Sequence, residues 1–179
     1  MMEQLATIFP KIRGAYLVGG SIRDHLLGKV PVDYDLAVMQ DPLEFGRRIA
    51  SQMPGHLVEI GKPGQMIVRL ISGEMSVDIS VIEGKTISED LQRRDFSINA
   101  MAYELASGKF IDEVGGQQDL ERKVIRMLSP RAFVNDPVRL LRAFRLAAGL
   151  EFSIEPATLA AIAQHAGLIR TSARERIKD

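Results

Sequence analysis

Ala15-Tyr16-Leu17-Val18-Gly19-Gly20-Ser21-Ile22-Arg23-Asp24-His25-Leu26-Leu27-Gly28, followed four residues later by Asp33-Tyr34-Asp35-Leu36-Ala37-Val38, carries most of the structural information in this chain. Its first four residues are apolar and closed by two glycines, which reads as a buried strand. Ser21 is placed to cap a short helix that runs through Leu27 and stops at Gly28. Asp33 to Val38 then reads as a second strand, its alternation putting Asp33 and Asp35 on one face. Strand, helix, strand in this order is an α/β signature.

Upstream, Glu3 to Phe9 predicts a helix ended by Pro10. Downstream, Pro42 opens a helix to about Gln52, and Leu57 to Ile60, Gln65 to Ile71 and Met75 to Ile82 read as strands of one sheet, the last two a hairpin around Ser72-Gly73-Glu74. Ser88 to Ala102 has helical propensity, Gly115-Gly116 marks a loop, and Val124 to Leu128 is a further strand. From Pro137 to Ala148 and from Pro156 to Ala166 the apolar spacing is helical, with a third helix starting near Ser172. The expected fold class is therefore α/β (α+β): a head of about residues 1–128 with a mixed, mostly antiparallel sheet flanked by helices, then an all-helical neck segment, 129–179. The pattern at Asp179 is still helical, so more of a body and tail is expected outside this chain.

The 179 residues are 46% hydrophobic and 26% charged, ordinary globular usage that excludes disorder, collagen or coiled coil as a description of the whole. Net charge is zero, so nucleic acid or phosphate must be met by local patches. One such patch exists: residues 122–145 carry seven basic groups against one acid, Asp136. The absence of cysteine excludes disulfides, thiol catalysis and Cys-based zinc sites and fits a reducing compartment. His25, His56 and His165 lack the spacing of metal ligands on one helical turn. With no apolar run of membrane length and no signal-peptide pattern, a soluble, cytoplasmic protein with no membrane partner is expected.

Neither a P-loop nor a G-x-G-x-x-G dinucleotide motif is present. Gly19-Gly20-Ser21 instead joins a strand to a helix start, where backbone N–H groups can meet an anion; a plain glycine turn is the alternative. Asp33 and Asp35 place two carboxylates within about 7 Å on one strand face, hard oxygen ligands suited to Mg²⁺, although a solvated or capping pair has the same sequence. Asp78 lies in Met75-Ser76-Val77-Asp78-Ile79-Ser80-Val81 on the face opposite Val77, Ile79 and Val81, from which it can look toward the first pair or simply be an exposed strand position.

Gly19 to Gly28 followed by Asp33-Tyr34-Asp35 resembles the signature G-G-x-[VI]-R-D-x-L-L-G-x₄-D-x-D of class II tRNA nucleotidyltransferases (CCA-adding enzymes) and bacterial poly(A) polymerases, of the polymerase β superfamily. Arg93-Arg94-Asp95-Phe96-Ser97-Ile98-Asn99-Ala100-Met101-Ala102, then Asp112 to Leu120, then Asp136-Pro137-Val138-Arg139-Leu140-Leu141-Arg142-Ala143-Phe144-Arg145 resemble the next blocks in order, and Ser172 to Ile177 the start of another. The resemblance implies a polymerase β-like head in which Asp33 and Asp35 bind catalytic Mg²⁺; Asp78, from its strand position and not from the resemblance, is the further candidate catalytic carboxylate. It implies that Gly20 and Arg23 contact the triphosphate and that Arg94, Asp95 and Asn99 hold the nucleotide. Asp136 and Arg139, with Arg142 and Arg145 on the same helix, would present one acceptor and several donors to the base of ATP or CTP. Asn135 stands where the family often has an acid, and Glu83 where a basic residue is expected, which touches nucleotide choice and not the reaction. The expected activity is template-independent addition of nucleotides to an RNA 3′ end with release of pyrophosphate, CCA addition to tRNA first, poly(A) synthesis second. A non-catalytic nucleotide- or RNA-binding module and a small-molecule nucleotidyltransferase are the other readings.

Overall fold

β1 (Ala15–Val18) and β2 (Asp33–Val38) lie inside a seven-stranded sheet in the computed structural model, which describes residues 8–62 and 65–172. With β3 (His56–Lys62), β4 (Gln65–Ser72), β5 (Met75–Val81), β6 (Ala102–Glu104) and β7 (Phe110–Ile111), the strand order is β3-β4-β5-β2-β1-β6-β7. Every pairing is antiparallel except β2 with β5, so the sheet is mixed and mostly antiparallel, as expected. This sheet belongs to one compact unit, formed by residues up to Leu91 and by Met101–Asp112; Gln92–Ala100 and the chain from Glu113 form a second. Packing thus groups the residues differently from a head–neck boundary near 128.

Register explains which face is the core. Leu17 pairs with Leu36, Leu36 with Ile79 and Ile79 with Val68, a row of four side chains at most 2% exposed. α1 (Gly20–Leu26) follows β1, and α2 (Pro42–Ala50), capped by Asp41 accepting from the Leu43 N–H at 2.9 Å, buries Phe45 and Ile49. α2 approaches the sheet so closely at Gly46 that a Cβ there would stand 3.0 Å from Val68 Cγ1 and 3.2 Å from Leu57 Cδ2. One residue out of phase, Arg69, Asp78, Asp35 and Val18 form a parallel row on the opposite face. α3 (Ile87–Gln92) ends the first run of this unit.

In the second unit a turn of 3₁₀ helix at Ser97–Asn99 precedes α4 (Gly116–Glu121), β8 (Val124–Ile125), α5 (Arg131–Asn135), α6 (Val138–Leu150), β9 (Ser153–Ile154), α7 (Pro156–His165) and a 3₁₀ segment, Ala166–Thr171. β8 and β9 pair in parallel, and Phe96 packs on Phe133 with ring centroids 6.4 Å apart. Phe133, Leu140, Ala143, Ile125 and Ile162 are buried with them.

Several expectations are corrected. Ser21 is not the cap of α1: Gly19 holds that position at φ 73°, and Ser21, inside the helix, donates its hydroxyl to the Val18 carbonyl at 3.2 Å. The helix expected over Ser88 to Ala102 breaks after Gln92, because polar side chains and distant backbone capture the groups a helix would use. The Phe96 N–H binds the Asp95 carboxylate and the Ser97 N–H binds the Arg126 carbonyl, both at 2.9 Å. On α6, where the sequence suggests that Leu140, Leu141, Phe144 and Leu146 supply the core, Leu141 and Phe144 are exposed, and Val138, Leu140 and Ala143 form the buried face. The helices expected over Glu3 to Phe9 and beyond Ser172 fall mostly or wholly outside the described residues.

Candidate active site

In the first unit, β2 ends the helix-bearing loop with Asp33 and Asp35 exposed and Tyr34 buried between them, so strand alternation alone aims both carboxylates away from the core. Ser76, paired with Asp33 across the parallel β2–β5 ladder, donates its hydroxyl to Asp33 Oδ1 at 2.5 Å. Asp78 pairs with Asp35 on the same face, where its strand position predicts it. Both its oxygens are engaged, however: Arg69 Nε donates to Oδ1 and Nη2 to Oδ2, each at 2.6 Å. The hydrogen bond and charge of Asp78 raise the guanidinium's affinity for its proton against the opposing effect of burial, and Asp33 and Asp35 add to the rise. Among the described residues no three His, Cys, Asp or Glu side chains are grouped as a metal site; Asp33 and Asp35 are hard oxygen donors of the kind that could hold a divalent cation.

Beside this pair, the positive φ of Gly19 turns the chain from β1 into α1. Arg23 folds its guanidinium back toward Gly20, where an added Cβ would lie 3.3 Å from Nη2, and forms a two-bond pair with Asp24 at 2.9 Å. Arg23 is thus held against the glycine turn with its side chain 13% exposed.

In the second unit, Asp95 is 5% exposed and fully engaged. Oδ1 accepts from the Phe96 N–H at 2.9 Å and from Asn99 Nδ2 at 3.1 Å, and Oδ2 accepts from Arg142 Nε at 2.8 Å. Burial by itself raises the Asp95 pKa, but the Arg142 charge and these three hydrogen bonds outweigh it and hold the carboxyl below the usual range. Arg139 reaches the same turn from α6, Nη1 donating to the Arg93 carbonyl at 2.9 Å. Its Nε lies 3.8 Å from Asp136 Oδ2, while Asp136 Oδ1 accepts from the N–H of Val138, the first residue of α6, at 3.3 Å; Pro137, not Asp136, holds the N-cap position. Arg94 is half-buried and Arg145 exposed.

The structure therefore brings Asp33, Asp35 and Asp78 together on one sheet face, with Gly20 and Arg23 at the adjoining turn, and separately ties Asp95, Asn99, Arg139 and Arg142 around one turn of the second unit. Sequence reasoning missed Arg69 and the Ser97–Asp119–Arg126 cluster, in which Asp119, 5% exposed, accepts from Ser97 Oγ and from Arg126 Nε at 2.8 Å. The signal for Arg69 was present: Ser72 pairs with Met75 across the hairpin turn, and three pairs back along that ladder Arg69 meets Asp78. No helix among the described residues is long and apolar enough to cross a membrane.

Comparison with known proteins fits this geometry. The family model described as Poly A polymerase head domain matches residues 15–86 and 74–126, and one described as Probable RNA and SrmB- binding site of polymerase A matches 151–179. The chain is 41% identical over 167 residues to a CC-adding tRNA nucleotidyltransferase of Geobacter sulfurreducens, covering 93% of this chain and 39% of that protein. It is 38% identical over 172 residues to an A-adding tRNA nucleotidyltransferase of Deinococcus radiodurans, covering 93% and 38%. A solved CCA-adding enzyme with CTP superimposes with a TM-score of 0.84 at 35% identity, covering 98% of this chain and 45% of that one. This chain thus spans about two fifths of the length of the curated relatives it matches.

Proposed function

This chain belongs to the poly A polymerase head-domain family, and from that premise we propose that it performs template-independent nucleotidyl transfer from CTP or ATP to an RNA 3′ end, the CCA end of tRNA in the cytoplasm, releasing pyrophosphate. The observation that carries the proposal is the Asp33–Asp35 pair on an open sheet face beside the Gly19-Gly20 turn. Asp33 and Asp35 would hold Mg²⁺, which when bound neutralises triphosphate charge and favours the ionised form of the attacking 3′-hydroxyl. The Gly19-Gly20 turn, free of side chains, lets phosphate oxygens approach backbone N–H groups, and Arg23 offers charge-assisted hydrogen bonds to them. Arg94 adds a donor for the nucleotide. At the start of α6, the Asp136 carboxylate and the Arg139 guanidinium supply an acceptor and donors for a base edge, so fixed side chains replace a template. Asp95, Asn99 and Arg142 are engaged with one another and act on this helix by holding its guanidinium row in place; Arg145 extends that row.

The test is to give the protein tRNA lacking its 3′ end with CTP, ATP or both, and to size the products. Two added residues with CTP alone, or three with both nucleotides, support tRNA end synthesis. Long adenosine tails favour poly(A) synthesis, the reading that the name of the family model itself raises. Nucleotide binding without extension rejects catalysis.

A further inference from the structure

Asp78 occupies the place of a third metal-facing carboxylate but is committed elsewhere. Its two oxygens receive the Nε–Nη2 edge of Arg69 in a parallel fork, both bonds at 2.6 Å, so the lone pairs on that side are turned to the guanidinium and not to a cation. The guanidinium keeps its Nη1 edge for a second acceptor, and the Arg69 side chain is 41% exposed. The fork removes the torsional freedom that makes a lone surface arginine a poor ligand.

Position in the sheet says what that second acceptor is. Across β4-β5-β2-β1 the row runs Arg69, Asp78, Asp35, Val18, and the Gly19-Gly20 turn leaves from the end of β1. The carboxylates of β2 therefore stand between the glycine turn and Arg69, with neighbouring strands about 4.8 Å apart. In-line displacement needs the attacking hydroxyl and the departing pyrophosphate on opposite sides of the α-phosphorus. If the triphosphate lies at the glycine turn, as the proposed function has it, the RNA end approaches from the side of β4. A polyanion arriving there meets the negative charge of Asp33 and Asp35, which a fixed guanidinium offsets.

We propose that Arg69, aimed by Asp78, binds the terminal phosphodiester of the RNA substrate, and that Asp78 is a positioning residue and not a metal ligand. The inference rests on the proposed function and deepens it by assigning a primer subsite.

The experiment uses the protein carrying Arg69→Ala, Arg69→Gln or Asp78→Asn, with a tRNA transcript lacking its CCA end and with CTP and ATP as nucleotides. Arg69→Ala raises the KM for the transcript by about tenfold or more, the size of one charge-assisted hydrogen bond, and leaves the KM for CTP within about twofold. In direct binding, the slope of log affinity against log salt becomes shallower by about 0.7, one phosphate contact on a single strand. Asp78→Asn moves the transcript KM in the same direction by less and leaves the Mg²⁺ concentration for half-maximal rate unchanged. Arg69→Gln carries the same test if the alanine variant does not fold. A KM increase confined to CTP assigns the phosphate to the triphosphate and overturns the proposal, as does an unchanged pair of constants. A raised Mg²⁺ requirement in Asp78→Asn overturns the positioning role. Failure of the unmutated protein to extend any transcript refutes the proposed function instead, and the salt titration still reads Arg69 by itself.

Discussion

Asp33 and Asp35 gain their significance from the residue between them: because Tyr34 is 4% exposed and locked in the core against Phe9, the strand cannot rotate, and both carboxylates must face outward. Asp33→Ala or Asp35→Ala is expected to lower turnover by at least about a hundredfold, since charge stabilisation at a bound cation is worth several kcal/mol. Folding survives, because neither side chain is buried; circular dichroism and a thermal melt check this beside the rate. Asp95 behaves in the opposite way. Its side chain is 6% exposed and its partner Arg142 42%, so Asp95→Asn should cost about 2–3 kcal/mol at neutral pH, below the usual range for a fully buried pair. Its folded carboxyl is held below the unfolded value of about 3.9, so its contribution is complete above that pH and is lost as pH falls through the folded value. Urea titrations from pH 7 down to 3 should show stability falling below about pH 4 in the unmutated protein and a flatter profile in Asp95→Asn; parallel profiles would contradict the assignment.

Whole elements show why some of this chain was legible and some was not. β1, β2, α2 and the β4–β5 hairpin have alternating or amphipathic patterns bounded by glycine and proline, and they form where those patterns predict. Ser88 to Ala102 has helical composition, yet Asp95 and Ser97 find partners in Arg142 and Asp119, far along the chain, which no local pattern encodes. The two-residue strands β7, β8 and β9 are likewise fixed by their partners, being too short to carry a period. Two predictions belong to this scale. Gly46→Ala should destabilise the first unit by about 1–3 kcal/mol, because the new methyl would press on Val68 and Leu57 and force α2 off the sheet; a shift in the urea midpoint at constant slope measures it. At the start of α6, Asp136→Ala or Arg139→Ala should relax discrimination among ATP, CTP, GTP and UTP more than it weakens triphosphate binding. Unchanged selectivity with a lowered melting temperature would reduce the pair to structural residues at the start of this helix.

At the scale of the molecule, a net charge of zero conceals a division of labour. The outward carboxylates of β2 belong to the sheet unit, and the basic run from Arg122 to Arg145 belongs to the other. The ordered motifs place both sets of residues along the sequence. Its packing was not legible, since the unit containing Gln92–Ala100 is held by long-range bonds from Asp95 to Arg142 and from Ser97 to Asp119. By the proposed function, Asp33 and Asp35 support nucleotidyl transfer to an RNA 3′ end. Its most direct test is extension of tRNA lacking CCA, with CTP and ATP, by the unmutated protein and by Asp33→Ala under the same conditions. Two or three added nucleotides are expected from the first and almost none from the second. Equal extension by both, or binding of CTP with no extension by either, would contradict it.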